Sequence, residues 1–163
     1  MNYDIVFESE RIYFVKITEK LVNDYLDMVN DIEVQKFISH NRKTYTPEGE
    51  IEWIKDKRSK NAIIFSMIEK ETNEFIGNIE IMGINNNIGK MGIAITPKKQ
   101  DKHYGQEAIK RLIDYSYEKL SLEGMELYVF NFNPRGIKCY EKVGFVKDGT
   151  GKTEDTIHMS IKK

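Results

Sequence analysis

The sequence predicts a single α/β domain, 1–163, with a central mixed sheet of about seven strands flanked by helices. Three observations carry this. Strand-like and helical periods alternate along the chain, and three strand-like segments follow one another in its middle. The chain has 163 residues, 40% of them hydrophobic, enough for one buried core without a second domain.

Residues 11–18 (RIYFVKIT) are rich in β-branched and aromatic side chains and predict the first strand. Leu21, Tyr25, Met28 and Val29 then recur at helical spacing, and Val34, Phe37 and Ile38 repeat it after Asn30-Asp31. Thr46 followed by Pro47, Glu48 and Glu50 is an N-cap, a first-turn proline and acids suited to a helix dipole, so a helix is expected to about Ser59. Residues 63–69, 75–84 and 91–96 predict an antiparallel meander, with turns at Glu71-Thr72-Asn73-Glu74 and Asn85-Asn86-Asn87 and a stop at Pro97. From Gly105 to Leu120, Ala108, Ile109, Leu112, Ile113, Ser116 and Leu120 share one stripe of a helix. Residues 125–130 predict a strand, Asn133-Pro134 opens a short helix to Val143, and Gly144 ends it. Closing strands are expected at 145–146 and 157–161 around a Gly149-Thr150-Gly151 turn.

Lys and Arg number 25 against 26 Asp and Glu, a formal charge of −1, so no broad positive field favours nucleic acid or an anionic membrane. The partner class that remains is a small molecule or a peptide. One cysteine, Cys139, forms no intramolecular disulfide, and the acidic start Met1-Asn2-Tyr3-Asp4 lacks signal-peptide character, which makes the cytoplasm the expected location. No apolar run approaches the ~20 residues of a membrane span.

Two segments carry chemistry. The first is the turn Pro97-Lys98-Lys99-Gln100-Asp101-Lys102-His103-Tyr104-Gly105-Gln106 between a strand and the long helix. A strand feeding a helix start aims unpaired N–H groups and the positive dipole end at one point, where phosphate can sit. Lys98, Lys99 and Lys102 add charge, and Gly105 lacks the Cβ that would hinder close approach. The bland reading is a solvated basic turn. The second segment runs from Asn131 to Phe145, with Asn133 as N-cap, Ile137, Tyr140 and Val143 on one face, and a Gly144-Phe145 stop. Tyr140 either packs its ring with the hydroxyl in water or aims a phenol, protonated at neutral pH, into a cleft. His40 and His158 read as solvent-facing or locally bonded residues.

This order of elements, with the Asn133…Tyr140…Gly144-Phe145 helix and the leading Ser9-Glu10-Arg11-Ile12-Tyr13-Phe14 strand, resembles the GNAT superfamily of acetyl-CoA-dependent N-acetyltransferases. Within it the chain is most similar to the branch of ribosomal-protein N-terminal and spermidine acetyltransferases. The resemblance implies a mostly antiparallel sheet that splays between its fourth and fifth strands. It implies acetyl-CoA as co-substrate, no metal, and a primary amine as acceptor: a peptide N-terminus, a polyamine or an amino-sugar. It also leaves room for a homodimer.

The family's pyrophosphate motif, Gln/Arg-x-x-Gly-x-Gly/Ala, aligns with Gln100, Asp101, Lys102, His103, Tyr104 and Gly105, followed by Gln106. His103 replaces the first glycine, so it must either take a left-handed conformation or shift the loop. By the same resemblance Ile93, Ala94 and Ile95 hydrogen-bond the pantetheine arm and polarise the thioester carbonyl. Asn133 and Lys142 belong to the cofactor site, and Tyr140 protonates the departing thiolate. Glu80 is the candidate to accept the amine's proton, its alternative being an exposed strand glutamate. Where many relatives carry an acid at the start of the next strand, this chain has Lys90-Met91, which weakens a claim for a polyamine in particular. The competing class is a catalytically degenerate relative that binds acetyl-CoA as a sensor or interaction module. His103 favours that class, whereas Asn133, Tyr140 and Gly144-Phe145 favour the enzyme.

Overall fold

The computed structural model describes residues 2–39 and 41–163, so His40 lies outside the described residues. The elements run β1 (Ile5–Glu8), β2 (Ile12–Lys16), α1 (Val22–Val29), α2 (Ile32–Gln35), α3 (Pro47–Ser59), β3 (Ile63–Glu69), β4 (Phe75–Asn85), β5 (Ile88–Ile95), α4 (Tyr104–Lys119), β6 (Gly124–Phe130), α5 (Pro134–Val143), β7 (Val146–Thr150) and β8 (Thr156–Lys162). The strands form one mixed sheet in the order β1-β2-β3-β4-β5-β6-β8-β7. The sequence reading of about seven strands misses β1, an edge strand with an irregular register to β2. Its Phe7 is buried, stacking on Phe14 at 4.3 Å between centroids and meeting Phe65 edge-on at 5.0 Å.

The chain divides into two compact units. One holds the residues up to Glu80 with Ile93–Tyr104, and the other holds Ile81–Gly92 with Gly105–Lys163. In the first, Val15, Ile64, Ile68 and Phe75 from the strands meet Leu21, Tyr25, Met28, Val34 and Ile54 from the helical side. Tyr25 is fully buried, and its hydroxyl pairs with Ser66 Oγ and accepts from the Thr18 N–H at 3.2 Å. Burial pushes that phenol up to about 12. The cap at Thr46 is as the sequence predicts: its side chain accepts from the Gly49 N–H at 3.1 Å, with Pro47 opening α3.

In the second unit the hairpin from β4 to β5 turns at Asn86 and Asn87, with φ 52° and 62°, the left-handed pair that a type I′ turn requires. β5 starts three residues before the expected position, because Gly89 is buried against Leu122 and Met125. The parallel register of β5 with β6 joins Ile88 to Gly124, Gly89 to Met125 and Lys90 to Glu126. Gly149 and Thr150, expected in the last turn, belong to β7 instead, and β7 and β8 pair antiparallel from Val146↔Ser160 to Thr150↔Ile157. α4 buries Ala108, Ile109, Leu112, Ile113 and Ser116, the stripe read from the sequence, and ends at Lys119. No helix among the described residues is long and apolar enough to cross a membrane.

A close backbone approach fixes β4 against β5 in the first unit. A Cβ on Gly77 would stand 2.0 Å from the carbonyl oxygen of Ala94, and backbone cannot yield as a flexible side chain can. Gly77→Ala is therefore expected to destabilise the protein by about 1–3 kcal/mol or more, the range for forced overpacking, read as a lowered thermal midpoint. An unchanged midpoint would show that β5 does not need this contact.

Candidate active site

The turn between β5 and α4 begins at Thr96, whose N–H donates to the Ile76 carbonyl at 2.9 Å. Pro97–Lys99 form one 3-10 turn, closed by the Lys99 N–H on the Thr96 carbonyl. Gln100 follows, with its Nε2 donating to the Ile95 carbonyl at 2.9 Å, so this side chain pins the end of β5. Asp101 and His103 then adopt φ of 60° and 65°. The histidine thus takes the left-handed conformation that a glycine would otherwise supply, at a cost of about 1–2 kcal/mol. A left-handed residue followed at once by helical Tyr104 turns successive N–H groups into a concave nest. Tyr104, Gly105 and Gln106 open α4, where backbone N–H groups have no intrahelical acceptor. These residues fit a pyrophosphate in backbone geometry and helix polarity.

The charges around the loop differ from the sequence reading. Lys98 and Lys102 are exposed, but Lys99 is buried and turned inward. Its Nζ donates to Glu69 Oε1 at 3.2 Å and to Glu74 Oε1 at 2.7 Å. Burial works against this ammonium, yet the hydrogen bonds to Glu74 and Glu69 outweigh it and the net shift is upward. Glu69 also accepts from Thr72 and from the Tyr104 hydroxyl, and these two bonds, followed by Lys99, hold its carboxyl down at about 2. Arg11 lies 4.1 Å over the Tyr104 ring and donates to the Lys102 carbonyl at 3.1 Å. The sequence reading misses this network because Arg11, Glu69 and Lys99 lie 30 or more residues apart along the chain. The one available signal is a glutamate ending a mostly apolar strand.

Ile93, Ala94 and Ile95 lie beyond the β5 residues that register with β6, and all three are half-exposed. Glu80, also half-exposed, sits on β4, and burial raises its carboxyl pKa with Lys57 opposing.

In the second unit Asn133 caps α5, its Oδ1 accepting from the Gly136 N–H at 3.0 Å. Gly144 ends the helix at φ 123°, and the Phe145 N–H returns to the Tyr140 carbonyl at 3.0 Å. The Tyr140 ring meets Phe145 edge-on at 6.1 Å. Burial, and then the neighbouring Cys139, push the Tyr140 phenol above its ordinary pKa, so it stays protonated. Lys142 is exposed on the same helix. The space beside Gly105 is used differently from the expectation: a Cβ there would stand 3.2 Å from Cys139 Sγ, so the glycine lets the start of α4 lie close to α5. His158 bonds locally, its Nε2 to Glu126 at 2.8 Å and its Nδ1 to Asp148.

Three outcomes follow from this geometry. His103→Gly relieves the left-handed strain at the expense of glycine's greater unfolded-state entropy, so stability is expected to stay within about 1 kcal/mol. Acetyl-CoA affinity, measured by calorimetry, is expected to be equal or tighter, and a sharp fall would make the imidazole a phosphate contact. Gly105→Val is expected to weaken that affinity while circular dichroism stays native, because the added bulk pushes the α4 start from Cys139. The depressed Glu69 carboxyl gives stability that is fully present above about pH 4.5 and lost as pH falls toward 2. Acid unfolding of Glu69→Gln should lack that component.

A family model for the acetyltransferase (GNAT) domain matches residues 11–146. The chain is 32% identical over 105 residues to a spermidine N(1)-acetyltransferase of Vibrio cholerae, covering 58% of this chain and 61% of that protein. An uncharacterized N-acetyltransferase of a Bacillus subtilis prophage is 26% identical over 60% of this chain and 56% of its own length. The chain thus spans less than two thirds of these curated relatives. Its fold is similar to that of a Vibrio cholerae spermidine N-acetyltransferase in complex with CoA and spermine, at a TM-score of 0.83 and 22% identity over 93% of this chain and 95% of that one. It is also similar to that of a ribosomal-protein-S5-alanine acetyltransferase of Vibrio fischeri, at 0.75 and 20% over 98% and 97%. On the strength of a match across most of its length, this chain belongs to the acetyltransferase (GNAT) family.

Proposed function

We propose that the protein, acting as one domain, transfers the acetyl group of acetyl-CoA to a primary amine. The observation that carries this reading is the left-handed turn at Asp101 and His103 running directly into the start of α4, inside a chain of this family. Acetyl-CoA supplies an acetyl group already activated as a thioester. The backbone N–H groups of Gln106 and its predecessors in the loop bind pyrophosphate, with Lys98 and Lys102 adding charge from the exposed side. Ile93, Ala94 and Ile95 bind the pantetheine arm as an added strand and offer a donor to the thioester carbonyl. Asn133 keeps its side-chain nitrogen for the same arm while its oxygen caps α5, and Lys142 flanks the arm.

Tyr140 donates a proton to the leaving sulfur. Its half-buried ring has a structural task against Phe145, which fixes where α5 carries the hydroxyl. Glu80 takes the proton from the amine, directly or through water, and its burial-raised pKa makes it a stronger base than an exposed carboxylate. The acceptor is a peptide N-terminus, a polyamine or an amino-sugar. The relatives named for spermidine support the polyamine, and Lys90-Met91, standing where many relatives carry an acid, weighs against it.

CoA release with a panel of primary amines and peptides tests the reading, and absence of turnover with every member would contradict it. Tyr140→Phe, assayed at saturating acetyl-CoA, is expected to lower kcat by about 10²-fold with cofactor affinity and stability almost unchanged. Full activity would return Tyr140 to a purely structural place. Glu80→Gln is expected to slow the reaction most near neutral pH, with the deficit shrinking as pH approaches the ~10.4 of a lysine-like amine, where no base is needed. A deficit of the same size at every pH would remove Glu80 as the base.

A further inference from the structure

The loop from Pro97 to Tyr104 carries two left-handed residues that need support. Asp101 and His103, neither a glycine, both occupy the left-handed region, and such residues persist only where the surroundings over-determine them. Asp101, Lys102 and His103 are all exposed. A restraint reaches the loop from behind, through the side chains of Glu69, Glu74 and Arg11.

Glu69, the last residue of β3, has a side chain only 8% exposed. Its two carboxylate oxygens serve different ends of the loop. Oε1 accepts from Lys99 Nζ at 3.2 Å, just before the left-handed pair, and Oε2 accepts from the hydroxyl of Tyr104, just after it. Thr72 donates to Oε1 and orients the carboxylate, while Glu74 takes a second bond from Lys99 at 2.7 Å. Arg11 adds a third attachment between the two ends, at the Lys102 carbonyl, while its guanidinium covers the Tyr104 ring. A buried carboxylate bonded to an ammonium and two hydroxyls has its charge compensated, so the arrangement holds rather than repels.

We infer that Glu69 and Arg11 are positioning residues for acetyl-CoA, holding residues 99–104 in the phosphate-binding conformation without touching the cofactor. This rests on the proposed acetyl-CoA reading. Neither residue meets the reacting atoms, so each should act on cofactor binding and leave the chemical step alone. Glu69→Gln removes the negative charge that pairs with the Lys99 ammonium and leaves the Tyr104 hydroxyl a neutral amide partner, so both ends of the loop are held more weakly.

The decisive experiment joins kinetics with hydrogen exchange of the ligand-free protein. Glu69→Gln and Arg11→Met are each expected to raise KM and the calorimetric Kd for acetyl-CoA by about tenfold with kcat within about twofold, and Arg11→Lys should recover part of the loss. In the ligand-free Glu69→Gln protein, amides 101–105 should exchange faster while those of β6 and β8 stay unchanged. Unchanged Kd with unchanged exchange at 101–105 would overturn the inference, as would a fall in kcat with KM intact. If Glu69→Gln does not fold, Arg11→Met and Arg11→Lys still decide it. If the unaltered protein binds no acetyl-CoA, the functional reading fails, and the exchange measurement alone still decides whether Glu69 holds the loop.

Discussion

The proposed acetyl-CoA site depends on the conformation of the eight residues between β5 and α4. Asp101 and His103 are left-handed without being glycine, and the helix that follows begins at Tyr104 with N–H groups facing outward. The cost of that path is met by charge buried behind it, where Glu69 holds Lys99 and Tyr104 together. The sequence departs from the family motif at His103, and the backbone there is left-handed, a conformation that glycine adopts without strain. The His103 side chain is exposed, and its left-handed backbone carries the strain of the substitution.

The strands that lead into the loop are fixed by equally local constraints. Gly77 allows the Ala94 carbonyl to approach closer than any Cβ would permit, and Gln100 ties the Ile95 carbonyl back from the loop side. Together they anchor β5 where its residues leave their register with β6. On α5, one asparagine caps the helix start and one glycine with φ 123° ends it, so that Tyr140 is carried on a short, fully specified helix. Rigid elements of this kind suit a reaction whose demands are alignment and timely proton transfer.

Much of this is legible in the amino-acid sequence, for stated reasons. Caps at Thr46 and Asn133, the Gly144 stop, the asparagine turn at 86–87 and the buried stripe of α4 are local signals, each needing only a few neighbouring residues to be recognised. What escapes is long-range. Lys99 reads as one more solvated lysine in a basic run, because the carboxylates that draw it inward lie on β3 and beside β4. Gly105 reads as room for a ligand, whereas its missing Cβ makes room for Cys139. β1 has too few residues to announce itself, and its place depends on Phe7 finding Phe14 and Phe65.

In the proposed complex acetyl-CoA binds along β5 and across the start of α4. Hydrogen exchange with and without acetyl-CoA measures this most directly, because the contacts invoked are backbone N–H groups. Acetyl-CoA is expected to slow exchange at residues 93–95 and 101–106, with β1, β2 and α3 unaffected. Protection confined to other segments, or none at saturating acetyl-CoA, would contradict it.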